Sequence, residues 1–181
     1  MRQVWLGLLL VACSGSSDND VEGSVPGFSF DARDAIFFVH NGRQLVVVSD
    51  QDNSCRKLMS GTLGGEIHLL EMYLWNENST DPTTLIEGTY EVDSSSVSLE
   101  SQAYFGSSTS CSPDTRWFRA GGGRVILLHA GEAAPGERAQ VAFRLDFGNN
   151  VFVTGRADAA YCNLPDTGTL PCINEGTFAP P

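Results

Sequence analysis

The chain predicts an all-β fold, an antiparallel β-sandwich or jelly-roll-like domain of seven to eight strands with at most one short helix. Three observations lead there. Its apolar runs are short and follow a period of 2 rather than 3.6. Clusters of Gly, Asn, Asp, Ser and Pro separate them at intervals of roughly 8–15 residues. Only one stretch, SCRKLMS over residues 54–60 before Gly61, reads as a turn or two of helix. Short strands with frequent turns pack as two sheets or as a barrel.

Residues 1–12 come first. Arg2 precedes an apolar run over 4–12 that ends on small residues, the general form of a secretory signal. The run is too short to cross a bilayer as a helix, which takes about 20 residues. It is also shorter than the roughly 15–30 residues of ordinary signals, which leaves the true start codon open. Residues 13–27 are rich in Ser, Gly and Asp and bury almost nothing, so a flexible tether is expected. A 14-residue coil, 14–27, spans roughly 20 Å on average. Order is expected from Phe28, in a single domain over 28–181.

Residues 35–39 and 44–48 are strands around Asn41-Gly42. Both turn residues tolerate the positive φ of a type I′ turn, so this is the clearest hairpin. Residues 66–75 (EIHLLEMYLW) are apolar on both faces. Ile67, Leu69, Glu71, Tyr73 and Trp75 share one; His68, Leu70, Met72 and Leu74 share the other. That pattern marks a central strand covered on both sides. Gly88-Thr89-Tyr90-Glu91-Val92 is a short strand, 97–105 a weaker edge and 124–130 another strand. Val141, Phe143, Leu145 and Phe147 alternate with polar or small residues, and Gly148-Asn149-Asn150 turns this strand into 151–160. Residues 163–181 are Pro- and Gly-rich and expected to be strapped down through a cysteine.

Composition excludes several partners. Loss of residues 1–12 removes Arg2, leaving 10 of the 11 basic residues against all 22 acidic ones. Nucleic acid and anionic head groups repel such a chain, and there is no basic block to bind phosphates. With Cys13 assigned to the signal junction, Cys55, Cys111, Cys162 and Cys172 remain, an even set. In an exported chain they are expected as disulfides, with three connectivities open. No metal is expected: there is no C-x-x-C pair, and His40, His68 and His129 are scattered. No cofactor is expected either.

Candidate chemistry is sparse. Asp50-Gln51-Asp52-Asn53-Ser54 resembles half of a calcium loop, but Cys55 and Gly61 stand where glycine and glutamate are needed. Turn chemistry explains these residues as well. Ser54 and Lys57 match the S-x-x-K spacing without its partner motifs. Gly121-Gly122-Gly123-Arg124 reads as a turn, and His68 and His129 as core or edge histidines. No catalytic constellation assembles, so the chain is expected not to be an enzyme. Tyr73, Trp75 and Trp117 could stack a sugar ring, although aromatics at strand spacing are usually core.

Leu10-Val11-Ala12-Cys13 resembles the lipobox of bacterial lipoprotein precursors. The resemblance implies cleavage before Cys13, lipid on Cys13 and membrane anchoring in the bacterial cell envelope. Ser14 after the cysteine implies the outer membrane. More loosely, three features together resemble a group of small uncharacterised bacterial lipoproteins. They are the Asn-Gly hairpin followed by Cys55, the Gly88–Val92 strand, and the closing hairpin ending at Tyr161-Cys162. This implies a sandwich and pairs Cys55 with Cys162, leaving Cys111 for Cys172; Cys55–Cys111 with Cys162–Cys172 is the competing pattern. The expected role is non-enzymatic binding or scaffolding of a protein or glycan partner, with a carbohydrate or small-ligand binding module as the alternative.

Overall fold

The structure is a computed structural model that describes residues 19–25, 28–40, 42–63, 65–79, 85–94, 98–109, 116–165, 170 and 172–174. Its strands are β1 (Asp20–Val25), β2 (Phe28–Ser29), β3 (Asp34–His40), β4 (Arg43–Ser49), β5 (Glu66–Asn76), β6 (Gly88–Val92), β7 (Leu99–Thr109), β8 (Arg116–Arg119), β9 (Gly122–His129), β10 (Arg138–Asp146) and β11 (Phe152–Tyr161). The one helix among the described residues, α1 (Ser54–Ser60), lies between β4 and β5. Gly61 ends it in the left-handed region at φ 62°, its N–H donating to the Leu58 carbonyl.

The two hairpins form where their turns demand. Gly42, at φ 72°, folds β3 onto β4 with His40 opposite Arg43. Gly148, Asn149 and Asn150 all hold positive φ between β10 and β11, which Gly and Asn tolerate best. Hydrogen bonds then build two antiparallel blocks. The first is β3–β4–β5–β7–β8 and the second β6–β9–β10–β11–β1.

The sandwich expected from the sequence is corrected here: eight strands close into a barrel, in the order β3–β4–β5–β7–β6–β9–β10–β11 and back to β3. Closure runs through two short parallel seams. Glu91 and Val92 of β6 face Glu100 and Ser101 of β7; Ala160 and Tyr161 of β11 face Ile36 and Phe37 of β3. Past each seam the strands splay, and an extra antiparallel strand takes the exposed edge. β8 pairs with β7 from Tyr104 to Ser107, and β1 pairs with β11 from Val153 to Arg156. Closure satisfies edge amides that an open sandwich would leave bare. With β1, β2 and β8 added to the eight of the barrel, the described residues hold eleven strands.

β1 corrects a second expectation, because residues 20–25 lie inside the segment read as tether. Its pairing is carried by backbone, and only Val25 is buried, so apolar patterning could not reveal it. Gly155 permits the approach: a Cβ there would run into the Asp20 carbonyl and the Phe143 ring.

The barrel interior is filled by side chains, as eight strands allow. Phe37, Met72, Tyr90, Phe105 and Phe143 meet there with smaller residues. Phe30 stands edge-on to Phe105 at one end, centroids 5.7 Å apart. A second core lies outside the first block. Ile36, Phe38, Leu45, Val47, Leu69, Tyr73 and Tyr104 are covered by Leu58 of α1 and by Leu164, Leu170 and Ile173 of the C-terminal segment. The double-sided apolar pattern of β4 and β5 therefore has a direct cause: one face lines the barrel and the other lies under this cover.

The Cys55–Cys162 disulfide ties α1 to the start of the cover across 107 residues. Cys172 is also disulfide-bonded, and Cys111 lies outside the described residues. Closing a loop of that length stabilises by about 4–5 kcal/mol in the chain-entropy model. The Cys55→Ser/Cys162→Ser double variant should lose about that much, measured by urea denaturation without reductant. A loss below about 1 kcal/mol would show that the cover holds without the bond.

Candidate functional site

The outer face of the first block carries a buried carboxyl and the aromatic residues singled out in the sequence. Glu71 sits at the middle of β5, opposite Val47 of β4 and Tyr104 of β7, and is fully buried. Both its carboxylate oxygens accept the Asn174 backbone N–H, at 3.2 and 3.1 Å. Two residues along β5, the Tyr73 hydroxyl donates to the Asn174 carbonyl. One residue of the C-terminal segment is thus clasped through both of its backbone groups. Burial pushes the Glu71 carboxyl well above the usual carboxylate range, and the Asn174 N–H opposes this only in part.

The sequence-predicted aromatics all lie in this layer. Tyr73 is buried and stands edge-on to Tyr104, centroids 6.1 Å apart. Trp75 is half-buried near the end of β5, and the Arg43 guanidinium lies 4.6 Å over its ring. Trp117 of β8 is half-buried and fills the space left by Gly106, where a Cβ would strike its ring. The C-terminal cover therefore closes the Tyr73 ring to any ligand, Arg43 takes a face of Trp75, and Trp117 packs on backbone. Beside them, burial raises the Glu100 carboxyl; nearby Glu77 adds to the effect and Arg43 opposes it.

The remaining candidates resolve into local structure. Both Asp50 oxygens are engaged by His68: one accepts its backbone N–H at 3.0 Å, the other meets Nδ1 at 2.7 Å. The imidazole stacks on Phe105, centroids 6.0 Å apart. This pair clasps the two ends of the β4–β5 connection. The sequence held its two halves, a turn aspartate and a strand histidine, without a signal that they meet. Ser54 Oγ donates to the Gln51 carbonyl and Lys57 Nζ to Gln51 Oε1, so serine and lysine are both turned to Gln51. Gly122 and Gly123, read as a turn, begin β9. His129 is exposed at the end of β9, 3.4 Å from a Glu87 oxygen, and His40 is buried with Nδ1 3.5 Å from the Pro165 carbonyl. Among the described residues no three His, Cys, Asp or Glu side chains group as metal ligands, and no helix is long and apolar enough to cross a membrane.

Comparison of the chain with protein-family models, with curated proteins and with solved structures returns no match.

The buried carboxyl makes stability pH-dependent with a definite sign. Its folded pKa lies above the unfolded value of 4.5, so the folded state holds this proton more tightly. That contribution is complete below pH 4.5 and is lost as pH rises towards the folded pKa. Glu71→Gln keeps the shape and an oxygen for Asn174 but cannot ionise. Its stability relative to wild type should therefore increase between pH 4 and pH 8, measured by urea denaturation at several pH values. An unchanged difference across that range would show that Glu71 carries no such linkage.

Proposed function

We propose that this chain is a bacterial envelope lipoprotein, held to its membrane by acyl chains on Cys13, whose barrel binds or scaffolds a partner without catalysis. The reading rests on Leu10-Val11-Ala12-Cys13, where a short apolar run gives way to a cysteine and then to polar chain. The Cys55–Cys162 disulfide supports it, because such bonds persist mainly outside the cytoplasm. Acyl chains contribute about 0.8 kcal/mol per buried CH₂, so several together anchor firmly. Ser14, the residue after Cys13, favours delivery to the outer membrane. The filled interior argues for use of the outer surface, and the engagement of Ser54 and Lys57 with Gln51 argues against a serine–lysine centre.

A second reading, a carbohydrate or small-ligand binding module, draws on Trp75 and Trp117. Both remain part-exposed beside the cover. A glycan array probed with the wild-type protein and with Trp75→Ala distinguishes the two: a hit lost in the variant favours this second reading.

Replacing Cys13 with Ala tests the anchor. The variant should pass from the membrane pellet to the soluble fraction of lysed cells, while wild type stays in the pellet. A Cys13→Ala protein that remains in the pellet would sink the lipoprotein reading.

A further inference from the structure

The chain is strongly acidic, yet three arginines gather on one outer face of the second block with no carboxylate of the described residues in ion-pair range. Arg33, Arg119 and Arg138 pair with Asp31, Asp93 and Asp158. Among the described residues Arg124, Arg144 and Arg156 have no such partner. Their positions follow from register. Arg124 of β9 lies directly opposite Arg144 of β10, and Arg156 of β11 lies opposite Ala142, one diagonal step from Arg144. All three are exposed. Arg144 also lies over the ring of Phe152, 5.0 Å from its centroid, and Phe152 is itself 38% exposed.

Like charges directly opposite on neighbouring strands repel, and Glu91, opposite Arg124 on its other side, offsets this pair only at its β6 edge. Carboxylates flank the arginines on both sides: Glu91 of β6 lies directly opposite Arg124, and on β1 Asp20 lies directly opposite Arg156 and Glu22 opposite Thr154. The Asp146 carboxylate accepts the Gly148 N–H, and Asp158 is held by Arg138. Arg144, between Arg124 and Thr154, is the one of the three with no carboxylate directly opposite it, and with the Phe152 ring beside it this guanidinium suits anionic oxygens on a partly apolar surface.

The course of the chain says which surface that is. Asn19 is fixed beside β11, its Oδ1 accepting the Asp158 N–H at 3.0 Å. Cys13 lies six residues earlier. At about 3.3–3.6 Å per residue even full extension reaches only about 20 Å. Resting on the lipid-anchor reading, this bound keeps the side of the barrel formed by β1, β11 and β10 close to the membrane. The covered outer face of the first block lies across the barrel from it. We propose that Arg124, Arg144, Arg156 and Phe152 form a docking surface for the phospholipid headgroups of the anchoring membrane. The guanidiniums meet the phosphates, for which their forked donors are suited, and Phe152 enters the interface.

Photo-crosslinking of the lipidated full-length chain tests this in phosphatidylethanolamine–phosphatidylglycerol vesicles. p-Benzoylphenylalanine replaces Phe152 in one preparation and Met59 in another; Met59 is exposed on α1, over the opposite side. Phospholipid adducts should be several-fold more abundant from position 152. Arg124→Ser with Arg144→Ser should lower them several-fold while the protein still floats with the vesicles. Equal labelling from both positions, or labelling unmoved by the two serines, overturns the docking surface and leaves the anchor intact. Protein that fails to float overturns the anchor, and the docking surface with it.

Discussion

Two parallel seams, each only two residue pairs long, hold the two antiparallel blocks together as one barrel. Most of the remaining structure follows from how short they are. Because β6 leaves β7 after Ser101, the edge of β7 is open for β8; because β3 meets β11 only at Ala160 and Tyr161, the rest of that edge is open for β1. Each added strand brings a segment of chain to a definite place. β8 sets Trp117 on Gly106, and β1 carries the N-terminal segment alongside Arg156. A wider seam would have left neither strand anywhere to pair.

The barrel also divides the hydrophobic burial into two layers that differ in character. The inner layer is mostly apolar side chain on apolar side chain, gathered by closure itself. The outer layer is completed by residues such as Leu164, Leu170 and Ile173 that lie outside any helix or strand, and irregular backbone carries amides and carbonyls that need partners. Glu71 and Tyr73 supply them at Asn174, and His40 lies near the Pro165 carbonyl. A polar group on an otherwise apolar strand face is thus the counterpart of the backbone laid across it. The energetic cost of burying the Glu71 carboxyl falls at the place where the cover is seated.

Much of the secondary structure was legible in the sequence, because it rests on local chemistry. Asn41-Gly42, Gly148-Asn149-Asn150 and Gly61 each mark a turn or helix end, and alternation marks β10. What was not legible depends on distance along the chain. Parallel seams of two residue pairs have no periodicity, so a barrel and a sandwich look alike. β1 pairs through its backbone, and its exposed Asp20 and Glu22 read as tether. On β5 both faces are apolar, and nothing local says which one lines the interior. Tyr73 therefore passed for a ligand-stacking residue while its hydroxyl belongs to Asn174. Glu71 was passed over as one member of an apolar face with Ile67, Leu69 and Tyr73, and its partner is a backbone amide 103 residues away. Asp50 and His68 meet for a similar reason, across a connection whose path only the folded chain defines.

The pairing of Cys55 with Cys162 bears on how the protein must be made. Synthesis delivers the chain from its N-terminus, so Cys111 is available to Cys55 before Cys162 is made. A bond formed between those two would deny Cys162 the partner it has in the folded chain. Correct maturation therefore requires either that oxidation wait for the last strand or that an early bond be exchanged by attack of a later thiolate. Since β11 both seals the barrel and delivers Cys162, geometric closure and correct oxidation become the same late event. The protein's yield is accordingly tied to how late oxidation comes, or how readily thiols exchange, where it folds.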